Sequence, residues 1–103
     1  MKQSEIKFKI ELDEERVPEH ISWFATDAEV NTFQETKAIA VSIWDHSHKE
    51  TLRIDLWSKE MPVDEMKLFY IDTAGGLANS LRSATSDEKL ADILAEAVQK
   101  MSD

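Results

Sequence analysis

The fold is decided by the stretch KAIAVSIWDHSHKETLRIDLWSKEMPVDEMKLFY, Lys37 to Tyr70. Its first part alternates, with Ile39, Val41 and Ile43 on one side and Ala38, Ala40, Ser42 and Trp44 on the other. The next part repeats the pattern, setting Leu52, Ile54 and Leu56 against Thr51, Arg53, Asp55 and Trp57. A period of two in both runs predicts a β-hairpin with one buried face. Matching the apolar faces places Ile43 opposite Leu52, Val41 opposite Ile54 and Ile39 opposite Leu56, with a connection around His46 to Lys49. Ile43, Ile54 and Leu56 are then expected inside, and Arg53 and Asp55 outside. Met61-Pro62-Val63-Asp64-Glu65 switches strand to helix, because proline suits the first helical turn and carboxylates suit the positive end of the helix dipole.

Towards the C-terminus, Met66, Phe69 or Tyr70, Thr73, Leu77, Leu81 and Ala84 keep helical spacing. Gly75-Gly76 interrupts them. Each glycine in a helix costs about 1 kcal/mol relative to alanine, so the pair marks either a kink or a close approach to the sheet or to a second subunit. Thr85 with Glu88 has the spacing of a capping box that starts a second helix. Leu90, Ile93, Leu94, Ala97, Val98 and Met101 form its apolar stripe. Towards the N-terminus, Ile6, Phe8, Ile10 and Leu12 alternate with Lys7, Lys9 and Glu11 as a strand that Asp13-Glu14-Glu15 ends. Val17 to Ile21 reads as a turn or one helical turn. From Ser22 to Glu35, Trp23, Phe24, Val30 and Phe33 fit neither period, and a partly irregular loop pinned by Trp23 is expected. Three strands followed by two helices predict one α+β domain over residues 1–103. In it an antiparallel sheet of three or four strands carries the two C-terminal helices on one face.

Two segments carry a family resemblance: SEIKFKIELDEERVPEHISW (Ser4–Trp23) and ETKAIAVSIWDHSHKETLRIDLWSKEMPVDEMKLFYIDTAGGLANSLRSAT (Glu35–Thr85). They mix Trp, His, Asp and paired Gly at fixed spacing and resemble the gliding motility protein GldC family of Bacteroidetes. The resemblance implies a cellular process, gliding motility, and no reaction. It transfers no catalytic residue.

At 103 residues the chain suffices for one modest core. Its 42% hydrophobic content, two Gly and two Pro are those of a folded protein rather than a linker or a disordered segment. A net charge of −9 repels phosphate backbones and anionic lipid heads, so nucleic acid and membrane insertion are not expected. A protein with a basic or apolar patch is the expected partner. Cysteine is absent, which excludes disulfides and thiolate chemistry and fits a reducing compartment. No apolar signal region follows Met-Lys-Gln-Ser-Glu and no run is long enough to span a membrane, so a cytoplasmic location is expected.

No Gly-rich phosphate loop, GxSxG elbow or Cys nucleophile is present, so no enzyme and no cofactor are expected. Asp64-Glu65 and Asp87-Glu88 are explained as helix N-termini. In Asp45-His46-Ser47-His48-Lys49-Glu50, His46 and His48 are the candidate metal ligands, because two residues apart on an extended chain both rings project to one side. Two imidazoles on a loop without a third fixed ligand make a poor chelate, so no metal site is expected. The residues expected to make contact with a partner are Trp44, Arg53, Asp55 and Trp57, on the hairpin's second face. Small residues between the two tryptophans would form a shallow shelf, either exposed as an interaction surface or covered by Trp23 and Phe24. The expectation is a non-enzymatic accessory protein of gliding motility, binding a protein of the gliding or secretion machinery. The alternatives are a chaperone-like binder of a secretion or motility substrate and a small metal- or ligand-binding module. A homodimer or larger symmetric assembly is also expected, because a three-stranded sheet leaves two edges to protect.

Overall fold

β1 (Ile6–Leu12) forms where the alternation is cleanest. The computed structural model describes residues 2–28 and 32–103. β1 pairs antiparallel with β2 (Pro18–Ala25), and β2 pairs antiparallel with β3 (Gln34–Thr36), giving the order β1-β2-β3. Residues directly opposite share a face. Ile6 with Ala25, Phe8 with Trp23 and Ile10 with Ile21 make one side apolar. Lys7 with Phe24, Lys9 with Ser22 and Glu11 with His20 make the other side mixed. Asp13 closes the β1–β2 connection, its Oδ1 accepting from the backbone N–H of Glu15 (2.9 Å) and Val17 (3.0 Å).

Val17 to Ile21 is therefore not a turn. Pro18 opens β2, a position where a missing N–H is tolerated. The irregular stretch expected over residues 22–35 is also shorter than that, since Ser22 to Ala25 complete β2 and Gln34 and Glu35 begin β3. Trp23 and Phe24 are consecutive and so lie on opposite faces, which puts large apolar groups on both sides and erases the alternation. Val30 lies outside the described residues.

β4 (Ala38–Asp45) and β5 (Glu50–Trp57) form a second, two-stranded antiparallel sheet. Its register is the one the apolar faces require: Ile39 opposite Leu56, Val41 opposite Ile54, Ile43 opposite Leu52, and Ala38 opposite Trp57. Among the described residues the strands thus number five in two sheets, not three or four in one, and the class is α+β with both helices after the strands. Burial departs from expectation. Ile43 is 48% exposed and Ile54 46%, Leu56 is half-buried, Arg53 is exposed and Asp55 half-buried. Alternation identifies the residues that share a face; it does not supply a layer to cover them.

The chain divides into two compact units, residues 1–61 and 62–103. Among the described residues of the first, Ile21 is the one large side chain fully buried, with Ala38 and Ser58 also inside. Three contacts fasten the end of β5 to earlier elements. Ser58 N–H donates to the Lys37 carbonyl (2.8 Å), Lys59 N–H to the Pro18 carbonyl (3.4 Å), and Lys59 Nζ to Asp13 Oδ2 (2.7 Å). The Lys59 ammonium holds the Asp13 carboxyl below its ordinary value, helped by the Val17 N–H.

In the second unit α1 (Val63–Thr85) begins after Pro62, with Asp64 and Glu65 in its first turn, and runs through Gly75-Gly76 unbroken. It ends at Ser86, which takes the left-handed conformation (φ 59°) and donates its N–H to the Arg82 carbonyl. α2 (Glu88–Ser102) is capped by Asp87, whose side chain accepts from Leu90 N–H at 2.9 Å. The capping residue is thus Asp87 and not Thr85, whose hydroxyl instead donates to the Leu81 carbonyl and accepts from Asp87 N–H. The helices run antiparallel, as Gly75 facing Val98 and Arg82 bonding Glu88 and Asp92 (2.7 Å each) require.

Candidate functional site

The β4–β5 hairpin places Trp44, Arg53, Asp55 and Trp57 on one face, because residues two apart on a strand project to the same side. Trp57 lies opposite Ala38 and Trp44 opposite Thr51. Six residue steps separate these two rows, roughly 20 Å along the strands. Between them sit the pairs Ala40–Asp55 and Ser42–Arg53. Arg53 closes on its neighbours: Nε and Nη2 donate to Asp55 Oδ2 (3.2 Å) and Oδ1 (2.9 Å), and Nη1 donates to Ser42 Oγ (2.8 Å). The forked pair fixes the guanidinium plane across both strands. The tryptophans stay open, Trp44 at 59% and Trp57 at 51% exposed.

The surface is therefore two aromatic anchors flanking an internally neutralised polar centre, rather than a continuous apolar shelf. Trp23 and Phe24 are committed to β2, opposite Phe8 and Lys7. A concavity of about 270 Å³ lies beside Trp57, lined by Val17, Pro18, Asp55 and Leu56. Val17 and Pro18 extend the face, and sequence reasoning missed them. They reach it through contact between β2 and β5 across some forty residues, for which a single chain carries no local signal.

The loop at the hairpin's tip is organised by Asp45. Its Oδ1 accepts from the N–H groups of Ser47 (3.0 Å) and His48 (3.2 Å), and its Oδ2 contacts His48 Nδ1 (2.9 Å). These bonds, the His48 N–H first, hold the carboxyl below its ordinary value. Lys49 closes the turn at φ 56°. His46 points its Nδ1 at Lys49 Nζ (3.4 Å) instead of joining His48. Among the described residues no group of three or more His, Asp or Glu is arranged to hold a metal ion. Asp45 acts here as a turn cap.

Sequence reasoning also passed over a second concavity, about 330 Å³, lined by Glu11, His20, Ile21, Ser22, Phe33 and Glu35. His20 Nδ1 lies 3.2 Å from Glu35 Oε1, and that bond raises the imidazole above its ordinary 6.5, with Glu11 and Glu19 adding smaller contributions. Lys9 Nζ sits 5.4 Å from the centre of the Phe33 ring, itself packed on Phe24. No helix among the described residues is long and apolar enough to cross a membrane.

A family model described as gliding motility-associated protein GldC-like matches residues 18–103, from the first residue of β2 to the C-terminus, and leaves β1 outside. None of the curated proteins and none of the solved structures matches the chain.

Proposed function

Since this chain belongs to the gliding motility-associated GldC-like family, we propose that it is a non-enzymatic accessory protein of bacterial gliding motility that acts by binding other proteins. Membership ties the chain to the process. The observation that supports a binding role is the pair of half-exposed tryptophans, Trp44 and Trp57, on one face of the hairpin around the closed Arg53–Asp55 pair. Tryptophan is the side chain most often responsible for binding energy at protein interfaces. It is costly to leave two of them open on one surface without a partner. The partner belongs to the gliding or secretion machinery, works with this protein in the cytoplasm, and presents apolar pockets for the two rings. The protein carries out this role as a homodimer.

A second reading, a chaperone-like binder of a secretion or motility substrate, draws on the opposite face, where Ile43, Leu52 and Ile54 are about half exposed. It requires the partner to bind while unfolded and to be released once native.

The test is complementation of a gliding bacterium whose own GldC-like gene is deleted. The wild-type chain restores colony spreading, and a Trp44→Ala/Trp57→Ala variant made at normal levels does not. Full spreading with that variant overturns the reading.

A further inference from the structure

The α1–α2 pair leaves one broad, uncharged face open, and its geometry identifies where a second copy of the chain can sit. At about 100° per residue, Ala91 and Val98 direct α2 towards α1, while Leu90, Ile93, Ala97 and Met101 fall together about 100° away. On α1, Gly75 and Ala78 face α2, while Met66, Tyr70, Leu77 and Ala84 fall together about 135° away. Because the helices are antiparallel, the two offsets turn to the same side of the pair. Tyr70, Leu77, Leu90, Ile93 and Met101 are 40–58% exposed there. No charged residue interrupts this face, although 32% of the chain is charged. Arg82, Glu88 and Asp92 lie off it, and Lys100, one heptad after Ile93, borders its outer edge. The helices bury only Ala78 and Ala91 fully, which is little core for elements of 23 and 15 residues.

We propose that this face, which includes Leu77 and Ile93, is the homodimer contact, two helical pairs stacking about a two-fold axis into a four-helix bundle. The inference rests on the homodimer reading above and assigns its surface. A two-fold axis brings a face against its own image, so it needs both projections and recesses. Tyr70, Leu77, Ile93 and Met101 supply the projections, and Thr73, Ala84 and Ala97 the recesses. Five or six half-exposed large side chains offer about 500–600 Å² per copy, so two copies bury on the order of 1,000–1,200 Å², at the lower bound of a stable interface. Two-layer helix packing of this kind is the ordinary geometry of four-helix bundles. Each chain carries −9, so like charges oppose the contact and added salt relieves that opposition.

Sedimentation equilibrium of the full chain at low and high salt tests the proposal. The wild type associates to a dimer that tightens as salt rises. Leu77→Lys and Ile93→Lys each weaken it at least tenfold with unchanged circular dichroism, and Trp44→Ala/Trp57→Ala leaves it intact. Because the chain has no cysteine, a second measurement does not depend on how the lysine variants fold. Ala97→Cys, on the face, oxidises to a covalent dimer, while Gln99→Cys, off it, does not. A dimer that survives both lysine changes, or crosslinks equally at both cysteines, overturns the assignment while leaving the homodimer standing. If the tryptophan variant dissolves it, the contact lies on the hairpin. A monomer at every salt concentration removes the homodimer and this contact together; complementation by the tryptophan variant then still decides the binding role separately.

Discussion

Gly75 on α1 faces Val98 on α2 so that a Cβ at Gly75 would stand 3.8 Å from Val98 Cγ1, an ordinary contact distance. Gly76, one residue on, faces nothing within 4 Å. Neither glycine is required by a clash, and neither has the positive φ that would favour it. Gly75→Ala and Gly76→Ala should therefore each stabilise the protein by about 0.5–1 kcal/mol, through helix propensity and the smaller entropy of the unfolded chain. Urea unfolding measures this directly. A loss of stability at Gly76 would mean that something approaches that side of α1 closely.

The sequence reads Ile21 as part of a turn and Ile54 as core, and the structure reverses their burial. Ile21 is fully buried, so Ile21→Ala should cost about 2–5 kcal/mol. Ile54 is 46% exposed, so Ile54→Ala should cost under about 1 kcal/mol. A loss at Ile54 as large as at Ile21 would show that the aliphatic face of the hairpin is covered in solution.

These two residues also show what a sequence can convey. The hairpin register was legible down to each pair, because both strands alternate cleanly and a one-residue slip would mix their faces. Whether a face is covered depends on a layer supplied elsewhere in the chain, and alternation is silent about that. β2 was hidden because Trp23 and Phe24 load both of its faces and because Pro18 reads as a turn. The cap of α2 is Asp87 and not Thr85, since both have capping chemistry but Thr85 is still the last residue of α1, which ends in the left-handed Ser86. At the candidate site the pairings Ser42–Arg53 and Ala38–Trp57 followed from the register. The approach of Val17 and Pro18 to Trp57 did not.

His20 supplies a pH dependence. Its contact with Glu35 raises the imidazole above 6.5. A raised value means that the contribution of the pair to stability is fully present below pH 6.5 and is lost as pH rises through the higher folded value. NMR titration of the three histidines should find His20 titrating above 6.5, and Glu35→Gln should lower it. A His20 value at or below 6.5 in the wild type would contradict the contact.

Asp13 titrates with the opposite sign. Lys59 and the Val17 N–H hold its carboxyl below 3.8, so its contribution is present above that pH and is lost as pH falls through the lower folded value. Asp13→Asn should lower the melting temperature at pH 7 and have little effect at pH 2. An equal loss at both would place the effect in the turn's hydrogen bonds rather than in the charge pair.

Binding of a protein of the motility machinery by the Trp44–Trp57 face is open to direct test. The most direct measurement is affinity capture from a gliding bacterium, quantified by mass spectrometry, with three baits: the wild type, Trp44→Ala/Trp57→Ala, and Ile43→Ala on the opposite face. The wild type and Ile43→Ala should enrich the same motility proteins in native form. The double tryptophan variant, folded by circular dichroism, should lose them at least tenfold. Equal enrichment by all three baits, or enrichment that only Ile43→Ala abolishes, would contradict binding by this face.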